Sequence, residues 1–403
     1  MRSLFACRVV AATIATLAPF LSASRPQDQA PAPAPIPSTP IPPGTGALDA
    51  ASLRALYEKP PSEWPKPVVD AGVAFVELSR VERLPPPSDD AEKARRELGR
   101  ALFFDARLSG TGQMACASCH DADLAFADGR TTSFGHDFKH LRRNAPSILN
   151  AGLMKTLFWD GRAESLEDQA LMVFTNADEM HTAASDIEQK LSSSRGYREQ
   201  FRAAFGDDAP TMARALAAIA AFENTVRSDG SSAFDRFLAG DEKALDDSEI
   251  RGLHLFRQKA RCANCHHGAL LTDHQFHDLG LSYYGRELED LGRYRVTKDP
   301  KDVGRFKTPS LRNVTRTGPY MHNGVFDLPG VVNMYSAGMV TLKRKAAQQD
   351  DPLFPTKSPL LQKLDLTAEE KDDLIAFLSA LEERRRRVRP PVLPALGDVQ
   401  MAR

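Results

Sequence analysis

The sequence of 403 residues predicts a mostly α-helical protein with two related domains, long loops and little β-structure. Apolar residues recur at the three- and four-residue spacing of helices, and capping residues stand before several of these runs. Segments with the alternating pattern of strands are few. The five-residue word CASCH at 116–120 returns as CANCH at 262–266, which indicates one type of domain used twice.

The N-terminus has the composition of an export signal. Arg2 and Arg8 precede an apolar run at 9–21, and small residues follow it. A membrane anchor is the alternative, but the run is shorter than the ~20 residues that span a bilayer. We therefore predict a signal peptide over 1–24, a periplasmic location, and a Pro- and Ala-rich linker over 25–47.

Charge narrows the classes of partner. The chain carries 52 basic and 53 acidic side chains, a formal net charge of -1. Nucleic acids and anionic membranes attract strongly basic proteins, so neither is predicted as the main partner.

Each copy of the repeated word follows a predicted helix. Asp89 and Asp90 are acidic starters for the first helix, and Asp247 or Ser248 is the predicted cap of the second. The apolar faces are Leu98, Leu102 and Phe103 in the first helix, and Leu253 and Phe256 in the second.

Two further helices complete the predicted organisation. One begins near Pro210, and the other begins at a capping box formed by Thr367 and Glu370. The simplest division of the chain is an N-terminal domain over 48–235 and a C-terminal domain over 236–403, each with one copy of the word.

C-x-x-C-H is the attachment signature of c-type haem, in which two thiols bond the vinyl groups and the histidine takes an axial position on iron. Disulfides, a redox dithiol and half a zinc site are the alternatives. Two matches behind an export signal, with no further cysteine pair, favour two covalently bound haems. The attaching residues are Cys116, Cys119 and His120 in the first word, and Cys262, Cys265 and His266 in the second.

Seven stretches in order resemble the bacterial di-haem cytochrome c peroxidase family, including its MauG-type branch. The resemblance covers roughly residues 85 to 385. The stretches are CASCH, RNAPSILN, FWDGRAESLEDQA, FDRFLAGDEKAL, RGLHLFRQKARCANCHHG, FKTPSLRNVTRTGPYMHNGVF and VVNMY.

The resemblance implies two cytochrome c-like haem domains with different tasks. His120 would hold the haem that meets peroxide, and His266 would hold the haem that passes electrons to it. Gln169 and Glu179 would be the polar group and the proton-transferring acid beside the first haem, and Trp159 would carry electrons between the haems. Without the resemblance, a surface amide, a first-turn carboxylate and a core aromatic are the ordinary interpretations.

The resemblance also implies a displaceable histidine that blocks the first haem until the other is reduced. His136 stands at that position, and His140 is the rival. A plain loop histidine is the alternative for both. In addition, Asn144 and the carbonyl groups of Thr317 and Pro319 would bind one Ca²⁺.

The second axial ligand of the C-terminal haem separates the two branches of the family. Classical peroxidases place a methionine there, and the MauG-type branch places a tyrosine. Tyr335 fits the tyrosine pattern best, and Met334 and Met321 are the alternative ligands. The alternative role for Tyr335 itself is that of a packed core tyrosine. A phenolate lowers the haem potential and a thioether raises it.

We therefore predict a periplasmic enzyme that reduces hydrogen peroxide to water with electrons from a small donor protein, a cytochrome c or a cupredoxin. A MauG-like oxidation of side chains on a partner protein is the first alternative. A non-catalytic di-haem electron carrier is the second. The resemblance also implies a homodimer.

Overall fold

The computed structural model describes residues 49–385 and 387–396, and this part of the chain is mostly helical, as predicted. The predicted signal peptide and linker lie outside the described residues. Within the described ranges, no helix is long and apolar enough to cross a membrane. The described α-helices are α1 Ala50–Tyr57, α2 Asp90–Phe104, α3 Cys116–Cys119, α4 Leu166–Thr175, α5 Ala184–Ser192, α6 Arg195–Phe205, α7 Met212–Glu223, α8 Ala233–Leu238, α9 Asp247–Arg257, α10 Tyr294–Thr297, α11 Leu328–Ser336 and α12 Ala368–Ala380.

The two described strands form one short antiparallel ribbon. Strand β1 is Phe276–Asp278 and β2 is Arg305–Lys307, with Phe276 opposite Lys307 in the register. Long loops, broken by single 3-10 turns, connect the helices and supply most of the residues near the two repeated words.

Capping residues set the helix starts. The Asp89 side chain accepts a hydrogen bond from the backbone N–H of Glu92, and Thr367 with Glu370 forms the predicted capping box of α12. The prediction for α9 was wrong by one or two residues. Asp246, rather than Asp247 or Ser248, is the cap, because its side chain pairs reciprocally with Glu249.

The helix before each word crosses a later helix at a glycine. A Cβ at Gly99 of α2 would lie 1.8 Å from the carbonyl oxygen of Ala218 on α7. A Cβ at Gly252 of α9 would lie 2.0 Å from the carbonyl oxygen of Asp373 on α12. Only glycine allows backbones to approach this closely, so the two halves use the same packing device.

The N-terminal segment 49–80 packs on the core that is formed mainly by α9 and α12. Its buried apolar residues are Leu53, Tyr57, Trp64 and Leu78, which join side chains from residues 234–381. Two other apolar clusters are built from residues 98–226. The division of the chain near residue 235 stays a prediction.

Within this N-terminal segment, residues 66–76 lie against the second word. The Asp70 carboxylate accepts a hydrogen bond from Asn264 Nδ2 at 2.9 Å and forms an ion pair with Arg261. Asn264 Oδ1 accepts the Asp70 backbone N–H at 2.8 Å, and the Val76 carbonyl accepts the backbone N–H of Gly268 at 2.9 Å. We call residues 66–76 the N-terminal strap.

Candidate functional site: one cavity shared by two C-x-x-C-H turns

Both words line a single cavity of about 850 Å³. All four cysteines and both histidines of the words contribute to its wall, and so does Trp159. Groups attached at the two words would therefore share one continuous space.

Each word forms one helical turn. The backbone N–H of His120 donates to the Cys116 carbonyl at 3.0 Å, and the N–H of His266 donates to the Cys262 carbonyl at 2.9 Å. The two thiols and the imidazole of each word all line the cavity, which suits attachment of one flat group at three points.

The four cysteines are free thiols, so the disulfide alternative does not describe this structure. Burial raises the pKa of all four, to about 11 for Cys119 and to about 12 for Cys262. A redox dithiol depends on a thiolate with a lowered pKa, and burial has the opposite effect on these thiols. Neutral thiols in a cavity fit covalent haem attachment better.

The two imidazoles have the same orientation. His120 Nδ1 lies 3.1 Å from the carbonyl oxygen of Phe126, and His266 Nδ1 lies 2.9 Å from that of Leu271. A carbonyl can only accept, so each Nδ1 carries the proton and Nε2 keeps its lone pair. Burial lowers the pKa of both rings, which keeps them neutral. This is the form and the tautomer of a metal-binding histidine.

Glu179 and Gln169 line the same cavity. Gln169 lies on α4, and Glu179 lies in the turn that follows this helix. Burial raises the pKa of Glu179 to about 7, against an opposing effect of the Arg162 charge. Its Oε2 is buried and has no hydrogen-bond partner among the described residues. The structure thus brings together the predicted acid and amide and leaves the acid available to a ligand.

Trp159 is held by two hydrogen bonds, one from its side chain and one to its backbone carbonyl. Its indole Nε1–H donates to the Asn144 carbonyl at 2.9 Å, and its own carbonyl accepts the Lys307 backbone N–H at 2.8 Å. The ring is therefore fixed at the wall of the cavity that both words share.

Tyr335 lies on α11 and lines the cavity, whereas Met334 does not. Burial raises the pKa of the Tyr335 hydroxyl, and negative charge on Cys265 or Cys262 would raise it further. No described residue forms a hydrogen bond with this hydroxyl. Met321 also lines the cavity, so Tyr335 and Met321 both remain available as ligands.

The two candidate loop histidines are placed differently. His140 is exposed and lines the cavity, whereas His136 is absent from its wall. The His136 ring packs edge-on against His181, with ring centroids 4.3 Å apart, and its Nδ1 is buried without a partner among the described residues. The His136 backbone N–H donates to the Asp178 carbonyl, which fastens this loop to the turn that carries Glu179.

The three residues of the predicted calcium site, Asn144, Thr317 and Pro319, also line the cavity. The Asn144 side-chain amide donates to the Arg130 carbonyl at 2.8 Å, which leaves its Oδ1 as an acceptor. Among the described residues, Cys265, Asp273 and His277 form the one group of three metal-binding side chains within 4.8 Å. Because this group uses a thiol of the second word, it competes with haem attachment.

Sequence reasoning missed Glu223, which ends α7 and lines the cavity although it is only 4% exposed. Burial, and secondarily the charge of Glu167, raises the pKa of Glu223 to about 8. No side chain of the described residues forms a hydrogen bond or an ion pair with this carboxyl group, and its charge would raise the pKa of Cys116. A lone acid at the end of the apolar run AIAAF was the available sequence signal.

A helical fold with two oriented C-x-x-C-H turns around one cavity defines the class of di-haem c-type proteins. The model of the di-haem cytochrome c peroxidase family matches residues 93–243. Cytochrome-c peroxidase IdrP1 of Pseudomonas sp. (strain SCT) is 39% identical, over 75% of this chain and 85% of the relative. The methylamine utilization protein MauG of Methylophilus methylotrophus is 37% identical, over 79% of this chain and 91% of the relative.

The fold comparison agrees with the sequence comparison. The crystal structure of a MauG-like protein associated with microbial copper homeostasis is 35% identical and superposes with a TM-score of 0.65, covering 77% of this chain and 94% of that one. The chain belongs to the di-haem cytochrome c peroxidase family, as its sequence motifs indicated, and is an oxidoreductase. Membership of this family implies two c-type haems.

Proposed function

We propose that the protein reduces hydrogen peroxide to water beside the first word, with electrons that a small redox protein delivers beside the second. The observation that carries this proposal is the Glu179 carboxyl group at the cavity wall, whose Oε2 is buried without a partner among the described residues and whose pKa burial raises to about 7. The reaction consumes one peroxide, two electrons and two protons and yields two waters. It therefore needs a residue that can exchange protons in a water-poor site.

Bound haem would supply the iron that meets peroxide and carries electrons. Cys116, Cys119 and His120 would hold the first haem, and the second word would hold the other. Glu179, with a pKa of about 7, populates both protonation states at neutral pH, so it can give and take a proton. The Gln169 amide offers a donor and an acceptor in the same cavity.

Trp159 is the proposed route for electrons between the two sites. It lies in the wall of the shared cavity, and its hydrogen bonds to Asn144 and Lys307 hold it there. A fixed aromatic ring between two redox centres shortens the longest gap that an electron must cross. The same route would serve either direction of transfer.

Tyr335 favours a second candidate function, the oxidation of side chains on a partner protein, as in the MauG-type branch. A hydroxyl that lines the cavity without a hydrogen-bond partner among the described residues is available as a ligand. A phenolate ligand would make the second haem a poor electron acceptor from a high-potential donor. A non-catalytic carrier is the less favoured candidate, because such a protein has no use for the acid at Glu179.

Three further features belong to the proposal. A calcium ion would use Asn144 Oδ1 with the carbonyl oxygens of Thr317 and Pro319, since oxygen ligands suit this ion. A periplasmic location follows from the predicted signal at residues 1–24. The homodimer stays a prediction from the family resemblance.

Steady-state turnover of peroxide with a reduced cytochrome c tests the proposal. Peroxide-dependent oxidation of the donor is the expected result, and its absence together with peroxide-driven oxidation of a partner protein would favour the second candidate. Low-temperature EPR of the diferric protein and of Tyr335→Phe tests the ligand. A low-spin signal changed by the substitution supports tyrosine, and an unchanged signal points to a methionine such as Met321.

A further inference from the structure

Lys307 is a half-buried residue that lines the shared cavity. Its Nζ donates to the Thr156 carbonyl at 2.6 Å. Its backbone N–H binds the carbonyl of Trp159. No carboxylate of the described chain lies within ion-pair distance of this ammonium.

The other cavity-lining cations are accounted for. Arg142 is exposed to solvent. Each remaining arginine of the wall has an aspartate partner, and these arginines are Arg143, Arg162, Arg261, Arg295 and Arg312. Among the described residues, Lys307 is therefore the one cavity-lining cation that is neither exposed nor paired with a carboxylate.

The surroundings of Lys307 are poor in negative charge. The Asp160 charge favours the ammonium form, but its carboxylate already binds Arg143 and Arg162. Burial and the charges of Lys155 and Lys307 lower the pKa of His274, so this side of Lys307 holds a second cation and a neutral imidazole. Burial consequently lowers the pKa of Lys307 to about 8. A buried cation without an anion is costly, so the wall is complementary to an anionic group.

We propose that Lys307 binds a carboxylate of a haem side chain at the Trp159 end of the cavity. Every c-type haem carries such carboxylates, and this family holds two haems. Lys307 would thus be a positioning residue that joins the edge of one haem to the peptide unit of Trp159. The inference rests on haem binding and not on peroxide as the substrate, so it can fail or hold independently of the proposed reaction.

Redox titration of the purified holoprotein, without peroxide, tests the inference. Lys307→Gln removes the charge but keeps a donor for the Thr156 carbonyl, and Lys307→Arg keeps the charge. Loss of a positive charge beside a haem favours its ferric form, so we expect the ferric-to-ferrous ratio of one haem to rise about tenfold at fixed potential, or ~59 mV. Lys307→Arg and the exposed control Lys155→Gln should leave both potentials near those of the wild type.

The pH dependence separates carboxylate binding from a merely structural role. A carboxylate that loses its cation is protonated at higher pH, so in Lys307→Gln the affected potential should vary with pH over roughly pH 5 to 8. The inference is overturned by unchanged potentials, by equal shifts in the Gln and Arg variants, or by haem loss in both. A shift that depends on chloride or phosphate concentration would assign the site to an anion from solution instead. Haem loss in Lys307→Gln alone would support the requirement for charge.

Discussion

The two C-x-x-C-H turns share their local geometry and differ in what surrounds them. In both, the imidazole Nδ1 donates to a carbonyl a few residues later. Glu179 and Gln169, the acid and the amide assigned to the first word, line the cavity. Tyr335 is associated with the second word, because negative charge on the thiols of that word would raise the pKa of its hydroxyl. The comparison teaches that the word supplies attachment, while side chains from other elements decide which chemistry each site can support.

The two turns are also held in different ways. Within the first word, the Ser118 hydroxyl accepts the backbone N–H of Ala115 at 3.0 Å, a purely local contact. Within the second, Asn264 is bound by Asp70 of the N-terminal strap, 194 residues earlier in the chain. The second site is thereby fixed by tertiary structure as well as by its own turn.

Glu179→Gln should produce the largest effect and would break the comparison at the first site. Gln cannot exchange a proton, so we expect peroxide turnover to fall by about 10² to 10³-fold. Rapid mixing with peroxide measures it, with the exposed Glu164→Gln as the control. Equal rates in the two variants would remove Glu179 from the mechanism.

Asp70→Ala probes the second site through its strap. The substitution removes the buried carboxylate that forms an ion pair with Arg261 and accepts a hydrogen bond from Asn264, so we expect a loss of about 3 kcal/mol in the free energy of unfolding. Chemical denaturation measures it. The matched control is Asp208→Ala, which breaks an exposed pair with Arg202 and should cost no more than about 1 kcal/mol. Similar losses in both variants would deny the strap any special role.

Glu223→Gln tests the pH dependence of stability. The pKa of Glu223 is raised from 4.5 to about 8 in the folded protein. Between these two pKa values the folded state keeps a proton that the unfolded state releases. The free energy of unfolding therefore falls as the pH rises from about 4.5 to about 8, by at most ~1.4 kcal/mol per pH unit. Glu179, whose pKa is raised to about 7, contributes to the pH dependence of stability mainly below pH 7. The variant should flatten the curve between about pH 7 and 8, and a wild-type slope there would refute the assignment.

The loop histidines should give the smallest effect and would sharpen the description of the first site. His140 lines the cavity and His136 does not. We therefore expect His140→Ala to change the ferric absorption spectrum of the first haem more than His136→Ala does. The reverse order would return His136 to the role of displaceable ligand.

Local patterns were sufficient to predict much of the fold. The acidic start of α2 at Asp89 and Asp90, the cap of α12 at Thr367 and the scarcity of strands were predictable because they depend on neighbours within four residues. Both attachment turns were readable for the same reason. The cap of α9 was misplaced because three consecutive residues, from Asp246 to Ser248, are all suitable caps.

Long-range contacts explain what the sequence could not show. The partners of Asp70 lie about 190 residues away, and Lys307 reaches Thr156 across 151 residues. Neither pairing leaves a local pattern. His136 and His140 are four residues apart in a loop where Asp137 and Phe138 adopt left-handed conformations, so the direction of each ring could not be inferred.

The N-terminal segment 49–80 has a consequence for the order of folding. Residues 49–80 are among the first described residues to be synthesised, yet their apolar partners lie at 234–381. Such non-local contacts delay closure of the chain and slow folding. Residues 49–80 can therefore pack only after residues 234–381 have been synthesised. A fragment that stopped before residue 234 would expose Leu53, Tyr57 and Trp64 to water.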